Sequence, residues 1–589
     1  MLPALVAGYL VQVGWRVWLA VGRHGPVVLA DEVGYLLDGR LLSGGAAGQM
    51  TGSMFYRGGY ALLIWPAFQV SHDPRRVYAL VLAVNAVLAG AVFPLLYYLC
   101  TRTFRIPAWP AVAVSFLGAL YPPLVLYSLL ALPEVVLYVG ILGVAVALSR
   151  FVAVRRRGPI WAWALGCGLL TGFLYTTHGR TAPVVAVALA GLVLIGALRS
   201  DLRLPAAAGL ATAGVTLWAG QVMNDLLARR IWGQTSGTGG GVVLHHLTDP
   251  GVVPNLGAVA VGQYWYFTVG TFGLFGLGVC QAVAVLRRGA APGLGPGTGP
   301  PAAIRAIRSR LGPAAGGGPV GAAFLLLATA VLVVLTGVFL FPVTRTDTLV
   351  YGRYAEVLMP AFVALGLYRL WTLRPAWRGL VELASGLGLA AVAFPLLRNY
   401  HDRLLLGPIS NSYTTLSLPW MSGSIQALHP GRVLAVALVG GAVLAALCRR
   451  LRALAALGLA GVLVLSAHTT RRDLFTHTQT AVYGPGDADQ VRVPGLSTPQ
   501  DVGYDLGHGT VEGRWAFQWA LPDTHFVLFD SAAGQPAPPV RYVISGRAWP
   551  QAARLGARQV WSERFGDQTV WLIPSRPPAP LTSSDPADR

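Results

Sequence analysis

Two adjacent carboxylates, Asp31 and Glu32 in Ala30-Asp31-Glu32-Val33-Gly34-Tyr35-Leu36, follow the first apolar segment of the chain. Ionisable groups at or within a bilayer are costly, so such a pair is either a functional site or the cap of a following helix. A third carboxylate, Glu134, stands behind Pro133 at the start of an apolar run, where it must be paired or protonated. Arg180 and Arg353 are its candidate partners. Both lie in short polar breaks, Thr177-His178-Gly179-Arg180-Thr181 and Tyr351-Gly352-Arg353-Tyr354, the latter followed by Ala355-Glu356. A guanidinium presents a rigid fork of donors that suits a phosphate, and the aromatic neighbours suit a headgroup zone or a sugar face. The competing reading is interfacial anchoring, in which Arg and Tyr snorkel at helix ends.

The chain that must position these groups has 589 residues, 54% hydrophobic and 12% charged, with a mean hydropathy of +0.57. That is the composition of a polytopic, all-α membrane protein. All of the +20 net charge comes from arginine, since the sequence has no lysine, and the abundance of Ala, Gly, Leu and Val fits a high-GC bacterial genome. No nucleic-acid-binding module is present, so the basic balance reads as membrane topology. Cys100, Cys167, Cys280 and Cys448 each lie in an apolar run without a CxxC pair, which indicates neither a disulfide framework nor a zinc site. Met1 to Val21 has no basic leader and no small-residue cleavage site, and is expected as a retained membrane helix.

With ~20 apolar residues needed per crossing, the pattern predicts about thirteen spans. They run 2–22, 76–100, 107–128, 130–150, 159–177, 181–198, 204–227, 258–286, 320–343, 354–372, 379–397, 432–448 and 452–468. Leu62 to Val70 is too short to cross and is expected in the interface or as a re-entrant piece. Asn85, mid-span, is expected in an interhelical hydrogen bond. Arginines cluster in alternate connections, at 102/105, 150–157, 199/203, 287–310, 374/378 and 449–452, and the positive-inside rule makes that side cytoplasmic. Of the acids before residue 470, all but Asp201 and Glu382 then map to the opposite side or the outer half of the membrane. So do four arginine-bearing breaks, those at 177–181 and 351–354 with Arg229-Arg230 and Asn399-Tyr400-His401-Asp402-Arg403. Four on one side favour a site over anchoring. A reporter fused after Arg310 is accordingly expected in the cytoplasm and one fused near Gly486 outside it. Both on one side would overturn the thirteen-span arrangement.

The domains expected are a transmembrane part over 1–468 with a first outer loop at 23–75, and a Gly/Pro-rich cytoplasmic loop at 287–319 that cannot bury a core. A small extracytoplasmic α/β domain follows over 470–574, and a disordered tail over 575–589. The α/β domain is read from a helix at Glu512–Ala520 and strand-like runs at Phe526–Phe529, Val540–Ile544, Gln559–Trp561 and Thr569–Ile573.

The acidic pair of the first outer loop resembles the first-loop signature of the GT-C glycosyltransferases, most of all the branch of aminoarabinose transferases and protein O-mannosyltransferases. Tyr351-Gly352-Arg353-Tyr354 ahead of Pro360 is similar to that group's Arg-Tyr helix start, and Pro133-Glu134 to its acid in the fourth span. The resemblance implies a bacterial plasma-membrane enzyme that moves a sugar, with inversion, from a polyprenyl-phosphate carrier to an extracytoplasmic acceptor (a cell-wall glycan, a lipid or a protein). Asp31 would be the general base, and Glu32 would orient the base or the acceptor, or help hold a divalent cation. Arg353, then Arg180, with Tyr351 and Tyr354, would bind the donor phosphate, and Tyr35, Glu134, His178 and Glu356 are further site candidates. No metal-ligand spacing is evident, so no metal is assigned. The alternative is a secondary transporter with outer carboxylates, against which stand the absence of matching halves and of midplane ionisable groups.

Overall fold

The computed structural model describes residues 1–154, 156–233, 238–288, 317–343, 346–372, 376–404, 412–423, 428–483, 496, 500–562, 567–574 and 576. Among them, ten helices are long and apolar enough to cross a membrane, or up to eleven if one bent pair forms a single span. The chain is a multi-pass membrane protein. The ten helices coincide with ten of the thirteen spans read from the sequence, and the other three are broken.

Each break has a local cause. The run expected at 107–128 divides into helices Ala108–Ala119 and Pro122–Tyr127, because Pro122-Pro123 removes two donors and biases Tyr121 away from the helical region. The next helix begins only at Glu134, behind Pro133. The run at 258–286 bends by 104° between Val252–Gly270 and Leu274–Arg287, at Phe272 (φ 53°) and Gly273 (φ 84°). The run at 354–372 opens with two 3₁₀ turns, Gly352–Tyr354 and Glu356–Leu358, and becomes α-helical at Met359.

Backbone released inside a membrane bundle needs partners, and polar side chains supply them. Arg16, fully buried in the first helix, donates to the Ala119 carbonyl (2.7 Å) and to the Gln12 side chain and carbonyl. Asn85 Nδ2 donates to the Leu130 carbonyl (2.7 Å), and its Oδ1 accepts from Tyr60 (3.0 Å). Tyr127 donates to the Tyr413 carbonyl (2.9 Å).

Two short helices precede the second span. Leu29–Leu42 carries Asp31, and Ala61–Val70, ten residues with Pro66 inside, is too short to cross. The last apolar helix runs on through the polar turn of composition near Thr469 to Tyr483, so the sheet domain starts later than composition suggested. Its strands are β1 (Gln500–Asp505), β2 (Thr524–Phe529), β3 (Tyr542–Gly546), β4 (Arg558–Ser562) and β5 (Gln568–Leu572), with helix Val511–Ala520 between β1 and β2. The order is β2-β1-β3-β5-β4, with β1 parallel to β2 and β3, and β5 antiparallel to β3 and β4. Most of the loop expected at 287–319, and nearly all of the tail expected at 575–589, lie outside the described residues.

Candidate active site

The turn at Gly352–Tyr354 places a buried guanidinium at the foot of the helix that follows. Gly352 is required there, since a Cβ would lie 2.2 Å from the Tyr266 ring. Arg353 Nη1 donates to Asp31 Oδ2 (2.7 Å) and its Nε to Glu134 Oε1 (2.5 Å). Glu134, at the first position of its helix, also receives Arg180 Nη2 (3.2 Å), so both candidate partners pair with it. Side-chain exposure is 0% for Glu134, 3% for Arg180, 7% for Arg353 and 17% for Asp31. Asp31 is thus the carboxylate of the cluster that a reactant can reach. Its other oxygen accepts from the Tyr56 hydroxyl (2.8 Å).

Arginines outnumber carboxylates here. Arg57 lies over the Tyr175 ring at 4.0 Å and beside Gly179, with no ion pair among the described residues. His178 sits among all three guanidiniums, its Nδ1 accepting from the Arg180 backbone N–H (3.1 Å). Burial first, then Arg180, Arg353 and Arg57, hold this imidazole well below its ordinary range, so it stays neutral and its proton resides on Nε2. The three arginines against Asp31 and Glu134 leave one positive charge in excess. Among the described residues, Arg180 Nε and Nη1 are buried without a protein acceptor, as is Glu134 Oε2 without a donor.

The aromatic residues divide. Tyr354 faces Arg180 (5.1 Å) rather than Arg353 and stands edge-on to Tyr351 (5.1 Å). The ring over Arg353 belongs to Tyr413, at 5.2 Å. Tyr35, one turn beyond Asp31, is buried between Tyr56 and Tyr60.

Glu32 departs from the role expected of it. Adjacent residues on a helix point about 100° apart, and Glu32 faces inward, fully buried. Its Oε1 accepts from the Val27 (2.7 Å) and Val28 (2.9 Å) N–H groups, and its Oε2 from Tyr78 (2.6 Å) and the Ala131 N–H (2.7 Å). All its acceptor directions serve the protein, which makes it a cap and strap. Glu356 forms no ion pair among the described residues; it is buried and accepts from the Tyr266 hydroxyl, so it holds the turn that carries Arg353. Arg229 and Arg230 are exposed and join no ion pair among the described residues. The side chains of Tyr400, His401, Asp402 and Arg403 lie outside the described residues. No group of three or more His, Cys, Asp or Glu converges among the described residues.

Sequence reading missed Tyr56, Arg57 and Tyr413. The first two lie in Phe55-Tyr56-Arg57-Gly58-Gly59, an aromatic-basic-glycine run of the kind singled out at 351–354, and that likeness was the available signal.

No family model and no curated protein matches the chain. Among the solved structures that share its fold are two of one protein. ArnT from Cupriavidus metallidurans bound to undecaprenyl phosphate has 14% identity and a TM-score of 0.56, over 97% of this chain and 98% of that one. The same protein in its apo state has 14% identity and a TM-score of 0.53, over 96% and 97%. From end to end, membrane body and C-terminal sheet domain together, this chain has the ArnT fold, as the GT-C resemblance implied.

Proposed function

We propose that the protein transfers a sugar from a polyprenyl-phosphate carrier to a hydroxyl acceptor at the extracytoplasmic face of the plasma membrane, with inversion. The observation that carries this reading is the contact of Asp31 with Arg353 within a buried cluster that also holds Arg180. A base and phosphate-binding groups stand within one reaction's reach. The charge balance supports it, because a phosphodiester brings the single negative charge that offsets the excess of one. A neighbour of the same fold is bound to undecaprenyl phosphate, which supports a carrier of that class here.

In the reaction, Asp31 takes the proton of the acceptor hydroxyl as that oxygen bonds to the anomeric carbon. The bond from that carbon to the phosphate oxygen breaks, and polyprenyl phosphate departs with one more negative charge. Arg353 and Arg180 meet that growing charge, Arg180 with the two nitrogens that have no acceptor among the described residues. Glu134, out of solvent between both arginines, fixes their forks without competing for the acceptor proton. No resident metal is required to balance the step.

Detergent-purified protein given a polyprenyl-phosphate-linked pentose or hexose and a cell-envelope acceptor fraction is expected to release polyprenyl phosphate in step with sugar transfer. Carriers of several sugars recovered intact, with no free polyprenyl phosphate, would overturn the reading.

A further inference from the structure

Residues 43–59 connect the helix bearing Asp31 to helix Ala61–Val70 without helix or strand. Gly44, Gly45, Gly48, Gly52, Gly58 and Gly59 fall within it, and glycine has the most backbone freedom to lose on ordering. Such a strap needs outside restraint, and it has three. Gly58 N–H donates to Asn224 (2.8 Å) and Gly59 N–H to the Thr176 carbonyl (3.0 Å). Met50 N–H donates to the Ile231 carbonyl (2.8 Å), and Trp232 Nε1 to Ser53 (2.9 Å).

The third restraint comes from the C-terminal domain. Gln518 donates from Nε2 to the Gln49 carbonyl (2.7 Å) and accepts the Gln49 N–H on Oε1, an amide-to-backbone pair in both directions. Its own carbonyl accepts Arg40 Nη1 (2.9 Å), and Arg514 Nη2 donates to the Thr51 carbonyl. Gly48 admits no Cβ, which would lie 2.6 Å from Gln518 Oε1. Five residues beyond Thr51 on this strap, Tyr56 holds Asp31.

We propose that the C-terminal α/β domain is a positioning domain for the reaction: Gln518 and Arg514 fix the strap, and the strap keeps Tyr56 on Asp31. The inference rests on the reading of Asp31 as the base. Neither residue reaches the reacting atoms, so both act through Tyr56, and a small displacement of a catalytic group is enough to cost up to about 100-fold in rate.

The test uses the full chain with Gln518→Ala, Arg514→Ala and Arg514→Lys. Hydrogen exchange over 46–57 should quicken in both alanine variants while β1 and β3 stay protected. Turnover at saturating donor should fall roughly 10- to 100-fold, undecaprenyl-phosphate affinity should hold, and Arg514→Lys, which keeps a donor for Thr51, should recover most of the rate. Unchanged strap exchange, or quickened exchange with wild-type turnover, would overturn the proposal. Should Gln518→Ala unprotect β1 and β3, the Arg514 pair decides. A wild-type chain without transfer overturns the glycosyltransferase reading instead, and exchange alone then decides the clamp.

Discussion

On the proposed reaction, Asp31→Asn is expected to lower sugar transfer by roughly 10²- to 10⁴-fold in a protein that stays folded. The amide keeps an oxygen for the Tyr56 hydroxyl, and Arg353 retains Glu134, so the cluster loses its proton acceptor without losing its frame. Glu32→Gln makes the contrast. Glu32 accepts four hydrogen bonds, and an amide there turns one acceptor group toward donors. Its effect therefore appears in thermal stability, while the folded fraction turns over normally. Initial rates on purified protein, scaled to the folded fraction by gel filtration, separate the two. Near-normal transfer by Asp31→Asn would end its assignment as base.

Arg353→Ala is the second large effect. It removes the only cation on Asp31 among the described ion pairs and one of two on Glu134. Breaking a buried pair costs about 3–5 kcal/mol, so yield falls. The catalytic loss expected from the proposed reaction is separate and larger, because the leaving phosphate would lose its main electrostatic partner: turnover at saturating donor should drop by roughly 10²-fold or more. Arg353→Lys keeps the charge but cannot span Asp31 and Glu134 with a planar fork, and should be partly active. Turnover equal to wild type in the folded Arg353→Ala fraction would leave Arg353 a structural anchor only.

Much of this site is legible in the sequence because charge is rare there. Asp31, Glu134, Arg180 and Arg353 stand out in runs where each ionisable group needs a partner, and that need is what brings them together. Glu32 misled for a local reason: its neighbour's chemistry says nothing about which way a helix turns it. Tyr56 had a signal in its own run but none that tied it to Asp31, whereas Tyr413 left no mark because aromatic residues are common in such a chain and only the tertiary fold brings it over Arg353. The same holds for β1, whose Gln500-Asp501-Val502-Gly503-Tyr504-Asp505 lacks strand-forming alternation. It is a strand because β2 and β3 pair with both its edges, and every one of its residues is buried within the domain.

The three broken spans change what a buried polar residue signifies. Wherever a helix stops within the bundle, peptide groups are left that neither lipid nor the helix can satisfy. Arg16 at Ala119, Asn85 at Leu130 and Glu32 at Ala131 each answer one of these stumps. Polarity inside this protein therefore comes in two dialects. Side chains that speak to backbone mark the seams of the architecture, and replacing them disturbs assembly. Side chains whose charged ends meet other side chains, as those of Asp31, Glu134, Arg180 and Arg353 do, have no such seam to mend, and the proposed reaction is what would give them their reason to be there.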